Sequence, residues 1–234
     1  MNCEDYLSGL LESYALIRVL SDKNGGRILH LRNIRFNKDI VYKQYTMTVS
    51  AYEQLKLIKH RNMPEVFDAL AMDDGQVVLE EFINGATVAQ ILECGTYTYP
   101  GACKVIKEVC NAVHTLHELG IIHRDIKPEN VMITDEGAVK LIDLNASRAV
   151  VPSQDRDTVV LGTIGYAPPE QLGIAQSDER TDIYAIGVLL NVMLTGEHPS
   201  KSLAKGKAGR IVQKCTLIDP DSRFSSVEKL LQAL

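Results

Sequence analysis

The stretch His123-Arg124-Asp125-Ile126-Lys127-Pro128-Glu129-Asn130 decides the reading of this chain. It sets a carboxylate, a cation and an amide in quick succession between a helical period and a strand. On its amino-terminal side, Val105, Ile106, Val109, Val113, Leu116 and Leu119 repeat with helical spacing over Ala102 to Leu119. Gly120 stands where a C-cap glycine belongs. On the other side, Val131 to Ile133 and Ala138 to Ile142 read as two short strands about the turn Asp135-Glu136-Gly137. Asp143 closes the second strand. A carboxylate to orient a hydroxyl, a cation and two oxygen ligands for magnesium therefore fall within one short segment, as phosphoryl transfer requires.

Upstream, the chain to residue 83 is rich in strand signals. Tyr14 to Leu20, Ile28 to Leu31, Ile40 to Tyr45, Val66 to Ala71 and Val77 to Ile83 are apolar runs broken by turn residues. The last two flank Asp73-Asp74-Gly75, a hairpin signal. Residues 49 to 59 predict one short helix, with Leu55 and Ile58 on its apolar face. The Leu7, Leu10, Leu11 stripe is read as packing on this sheet-rich part. After Asn84-Gly85 the character changes to helix: Val88 to Leu92, the long helix to Leu119, Asp182 to Leu194, Gly209 to Thr216 and Val227 to Leu234. Residues 143 to 170 keep a weak period, which marks a functional loop.

Composition sets outer limits. The 234 residues are 45% hydrophobic and 24% charged, ordinary for a globular domain and wrong for a disordered or disulfide-stapled chain. A net charge of −5 gives no domain-wide footprint for nucleic acid. The five cysteines, Cys3, Cys94, Cys103, Cys110 and Cys215, include no C-x-x-C pair and are read as reduced thiols in a cytoplasmic protein. Cys103 and Cys110 read as packing residues. His114 and His117 lack a third ligand for a metal. No signal peptide is expected from the acidic start, and Ala185 to Leu194 is too short to span a bilayer.

The motifs resemble those of the eukaryotic-type (Hanks-type) Ser/Thr protein kinase family, and most closely its compact bacterial form. Val41-Tyr42-Lys43 resembles V-A-I-K, and Asp143-Leu144-Asn145 stands where D-F-G belongs. Gly162-Thr163-Ile164-Gly165-Tyr166-Ala167-Pro168-Pro169-Glu170 resembles the end of an activation segment. Asp182-Ile-Tyr-Ala-Ile-Gly187 resembles a helix start of the family, and Asp219-Pro220 with Arg223 its closing motif. Lys127 resembles the Ser/Thr-specific subclass. The resemblance covers Tyr14 to Leu234. It implies an α+β, two-lobed fold: a small antiparallel β-rich N-lobe over about 1–83, a hinge at about 81–85 and a larger helical C-lobe over about 86–234.

The resemblance also implies roles. Asp125 accepts or orients the substrate hydroxyl, Lys127 meets the γ-phosphate of ATP, and Asn130 and Asp143 hold Mg²⁺. Lys43 grips the α- and β-phosphates. Adenine meets the hinge backbone at Glu81 to Ile83. Thr163 contacts Asp125 and Lys127, Glu170 pairs with Arg223, and Asp182 braces the catalytic loop. The expected partners are protein substrates bearing Ser or Thr and, for autophosphorylation at Thr158 or Ser153 opposite Arg124, a transient second copy. No nucleic acid and no membrane segment are expected.

The chain departs from the family in four places. The glycine-rich loop retains Gly26 alone, with Ser21 and Lys23 in the other two slots; Lys23 either compensates by charge or lies in a plain hairpin. The partner of Lys43 is Glu53, Glu80 in the gatekeeper slot, or neither. Asn145 replaces a glycine and is expected to take left-handed angles in its stead. The region after the Asp182 helix is short, and its cations Lys201, Lys205, Lys207, Arg210 and Lys214 are read as a solvated face in preference to a docking patch for acidic protein. These departures leave a pseudokinase, a weak nucleotide-binding signalling module, as the alternative to an active enzyme. A small-molecule kinase on the same scaffold is disfavoured by the protein-acceptor segment.

Overall fold

A computed structural model describes residues 1–23, 26–149, 166–168 and 177–234. Ser153, Thr158, Thr163 and Glu170 lie outside the described residues. The chain forms two compact units, one of Met1–His60 with Pro64–Ile83, the other of Arg61–Met63 with Asn84–Leu234.

The first unit is an antiparallel sheet of β1 (Tyr14–Lys23), β2 (Gly26–Asn33), β3 (Asp39–Tyr45), β4 (Val66–Met72) and β5 (Gly75–Glu81), in the order β1-β2-β3-β5-β4. Its core lies under a helix, α1 (Cys3–Leu10), whose Cys3 and Leu7 pack with Leu29, Leu31, Ile40, Tyr42 and Val77. Asn2 caps α1 by accepting from the Asp5 N–H. Leu10 joins this packing, and Leu11 stays more than a third exposed. Successive side chains of a strand face opposite ways. With Ile40 and Tyr42 under α1, Val41 and Lys43 point to the other face of the central strand. The helix expected over 49–59 is only α2 (Ala51–Leu55). Beyond it Leu57 is 88% exposed and Ile58, the other residue of the expected apolar face, is only part-buried.

The second unit is mainly helical. Its helices are α3 (Val88–Leu92), α4 (Tyr99–Glu118), α5 (Glu179–Thr195), α6 (Gly206–Cys215) and α7 (Val227–Ala233). The α4 and α5 helices each begin three residues before their apolar periods. Thr98 caps α4 at the Gly101 N–H, and Asp178 forms a capping box with Thr181 at the start of α5. Three strands absent from the sequence reading are β6 (Gly85–Thr87), β7 (Ile121–Ile122) and β10 (Arg148–Ala149). They are too short to show a period. β6 joins β8 (Val131–Thr134) and β9 (Val139–Leu141) in the order β6-β8-β9, and β10 pairs with β7. A Cβ on Gly85 would stand 2.2 Å from the Ile133 carbonyl oxygen, so only glycine lets β6 approach β8. All five cysteines are free, and Cys110 and Cys215 are wholly buried. Among the described residues no helix is long and apolar enough to cross a membrane.

Candidate active site

In the first unit, the face of β3 that carries Val41 and Lys43 is buried, and a buried ammonium needs a partner. The register supplies one. Val41 lies opposite Glu80 and Lys43 opposite Val78, so Lys43 and Glu80 are diagonal neighbours on one face of the sheet. Lys43 Nζ lies 2.5 Å from Glu80 Oε1, and the side chains are 4% and 7% exposed. The ammonium also lies 5.9 Å from the centre of the Tyr52 ring, whose hydroxyl is 3.0 Å from that of Tyr45.

Glu53 does not pair with Lys43, which corrects one of the three sequence alternatives. The short α2 buries Ala51, Tyr52 and Leu55, and this turns Glu53 outward. Its carboxylate is half exposed and stands 3.8 Å from Lys56 Nζ. Tyr52 is the residue of α2 that reaches Lys43, a contact the sequence reading missed.

The β1–β2 ladder runs to the Lys23 and Gly26 pair, and the Lys23 side chain is exposed. Glu81 ends β5, with its N–H donating to the Glu65 carbonyl at 2.8 Å and its carboxylate accepting from the Glu65 N–H at 3.1 Å. Phe82 stacks on His30 with ring centres 3.8 Å apart. Ile83 is buried, and its main-chain N–H and C=O make no hydrogen bond among the described residues. An adenine edge, which offers one donor beside one acceptor, fits such a pair.

In the second unit the loop after β7 hangs on one carboxylate. Asp182, in the first turn of α5, is wholly buried. Its Oδ2 accepts from the His123 N–H at 2.9 Å and lies 2.8 Å from His117 Nε2, and its Oδ1 accepts from the Arg124 N–H at 2.8 Å. Burial alone would push this carboxyl up; the His117 contact and the main-chain donors outweigh it and hold it below the ordinary carboxylate range. The same grip holds Arg124 at φ 69°, a left-handed conformation that costs a non-glycine residue roughly 1–3 kcal/mol. The sequence reading weighed His117 only as a metal ligand and missed its contact with Asp182. Its place on the buried face of α4, beside Val113 and Leu116, was the available signal.

The turn at Arg124 delivers Asp125 next to its partners. Lys127 Nζ lies 2.7 Å from Asp125 Oδ2. Asn130 Nδ2 donates to the same oxygen and to the Asp125 carbonyl, both at 2.8 Å. With both amide hydrogens so used, Asn130 Oδ1 has no donor among the described residues. Asn130 is tied to the end of β9 by the Ile142 N–H, which donates to its carbonyl at 2.8 Å. Asp143 follows at φ 65°. Its Oδ1 accepts from the Asn145 N–H at 3.2 Å, the closure of an Asx turn. The left-handed residue is thus Asp143 and not Asn145, because the Asp143 side chain itself satisfies the turn. An amide oxygen and one carboxylate are hard oxygen ligands, suited to Mg²⁺, which is held by one or two carboxylates plus substrate phosphates. Among the described residues no group of three His, Cys, Asp or Glu could hold a metal ion.

Arg223 is buried and donates to the carbonyls of Leu217 (2.8 Å), Arg180 (3.0 Å) and Ile218 (3.1 Å). Its expected partner Glu170, like Thr163, lies outside the described residues.

Comparison with known proteins gives a consistent result. The protein kinase domain family matches residues 14–233. A probable serine/threonine-protein kinase of Clostridium perfringens is 30% identical over 191 residues, covering 81% of this chain and 26% of that protein. The serine/threonine-protein kinase PknL of Mycobacterium tuberculosis is 35% identical over 144 residues, 61% of this chain and 36% of its own length. A probable serine/threonine-protein kinase PknB of Corynebacterium glutamicum is 37% identical over 150 residues, 61% of this chain and 23% of its own length. The chain spans about a quarter to a third of the length of these relatives. A match over nearly the whole chain, on a loop built around Asp125 and anchored by Asp182, establishes that the chain belongs to the protein kinase domain family.

Proposed function

We propose that the chain is a bacterial, cytoplasmic Ser/Thr protein kinase domain that moves the γ-phosphoryl group of Mg-ATP to Ser or Thr hydroxyls of proteins. The single observation that carries this reading is the Asp125 carboxylate, held by Lys127 and Asn130 on a loop fixed by Asp182. Asp125 orients the acceptor hydroxyl and takes its proton as the oxygen bonds to phosphorus and ADP departs. Lys127 offsets charge on the transferring group. Asn130 Oδ1 and the Asp143 carboxylate would hold magnesium, which would supply positive charge to offset that of the phosphates. Lys43 aligns the α- and β-phosphates, and Ile83 with the Glu81 carbonyl receives adenine. Lys23 and Gly26 border the phosphate loop. Thr163 is assigned to the acceptor side by its motif. Five free thiols suit a reducing compartment.

All four groups at the transfer centre, Asp125, Lys127, Asn130 and Asp143, are present, which favours turnover over mere nucleotide binding. The test is transfer from radiolabelled ATP to a Ser/Thr protein by wild type, Asp125→Asn and Asp143→Asn. Each near-isosteric change is expected to cut the rate by at least ~10²-fold with the melting temperature unchanged. A rate within about threefold of wild type removes that residue from the mechanism.

A further inference from the structure

The cations of residues 201–214 are arranged by α6. This helix buries Ala208, Gly209, Ile211, Val212 and Cys215 and leaves Lys207, Arg210 and Lys214 exposed. Their i, i+3, i+7 spacing sets three cations in a row about 10 Å long, with Lys205 exposed just before the first. A solvated helix face ordinarily mixes the two signs of charge. This one does not, for no Asp or Glu occurs between Glu197 and Asp219.

Nearby carboxylates are engaged elsewhere. Glu197 lies 3.6 Å from Lys201 and Glu228 lies 3.1 Å from His114. Asp221 pairs with Arg180, and Asp219 accepts from Ser222 at 2.8 Å. Lys207 Nζ donates to the Leu234 carbonyl at 3.0 Å, and Lys214 Nζ lies 4.6 Å from the centre of the Phe224 ring. Both contacts restrict a long side chain. Lys205 and Arg210 have no polar side-chain partner among the described residues. The row is therefore positive, ordered in part, and set on a molecule whose remaining charge is more negative than its net −5.

We propose that the exposed face of α6 docks an acidic polypeptide segment of the protein substrate. The proposal rests on the protein kinase reading for the word substrate, and on the charge row alone for the binding. An extended chain advances about 3.3 Å per residue, so acidic side chains within four or five consecutive residues match the row. A long polyanion such as a nucleic acid would extend beyond the row on a molecule whose remaining charge is negative.

The probe is a fluorescein-labelled Asp/Glu-rich decapeptide without Ser or Thr, followed by anisotropy, so that binding is read without catalysis. Lys207→Ala/Arg210→Ala/Lys214→Ala is expected to weaken binding at least ~10-fold, and added salt to abolish it for wild type. With the same segment fused to a Ser acceptor, the triple variant is expected to raise KM about 10-fold at unchanged kcat, and to handle a neutral acceptor as wild type does. Peptide binding without any phosphoryl transfer would overturn the kinase reading and leave the docking face standing. Equal binding by wild type and variant, no binding by wild type, or tighter binding of a single-stranded oligonucleotide would each overturn the docking face.

Discussion

At the scale of the residue, the Lys43–Glu80 pair is the most consequential contact in the first unit. Both charges are more than nine-tenths buried, and breaking such a buried pair costs roughly 3–5 kcal/mol. Glu80→Gln is therefore expected to lower the unfolding free energy read from urea denaturation by an amount of that order and to slow transfer, while Glu53→Gln leaves both unchanged. Equal effects of the two variants would show that Lys43 does not depend on Glu80. The sequence held both glutamates as alternatives and could not choose, because the choice turns on strand register and on which way a single helical turn faces. The gathering of Asp125, Lys127 and Asn130 was legible because one contiguous motif carries them. Tyr52 and His117 were not, since an aromatic and a histidine at core spacing look like packing.

At the scale of the element, the crossing of α5 with α6 depends on the absence of one methyl group. A Cβ on Gly187 would lie 2.3 Å from the Cys215 Cβ. Neither atom is the end of a flexible side chain, so the helices must move apart. Gly187→Ala is expected to cost about 1–3 kcal/mol, in spite of alanine's better helix propensity. Gly9→Ala in α1, where an added Cβ meets nothing within 4 Å, is expected to raise stability by up to about 1 kcal/mol. Urea denaturation of the two variants checks the pair, and a stabilising Gly187→Ala would refute the close crossing. Long helices were readable from their periods. Their true starts were set by caps at Thr98 and Asp178, which lie outside the apolar repeat. The three-residue β6 and two-residue β7 and β10 exist through pairing with distant partners, which no local pattern announces.

At the scale of the whole molecule, stability should respond to pH through its buried ionisable groups. Burial holds the wholly buried His123 below its ordinary value near 6.5. Above that value both folded and unfolded chains carry a neutral ring, and the full stability is present. As pH falls below it, the unfolded chain binds a proton that the folded one resists, so stability falls by up to about 1.4 kcal/mol per pH unit. Asp182, held low by His117 and the main chain, adds a second loss only below its ordinary value near 3.8. The melting temperature of wild type is expected to decline from pH 7 to 5.5 more steeply than that of His123→Phe. Parallel profiles would mean that His123 keeps an ordinary affinity for protons.

The passage of the chain between its two units matters for its synthesis. Residues 61–63 belong to the second unit although the first unit flanks them on both sides. Asn62 Nδ2 donates to the Val139 carbonyl, and Lys140 Nζ to the Met63 carbonyl, each across 77 residues of sequence. At elongation rates of about 5–20 residues per second, those partners leave the ribosome about 4 to 15 s after the residues that need them. During that interval the nascent sheet carries an inserted loop that lacks these two partners, and a chain released early at residue 83 would never close it.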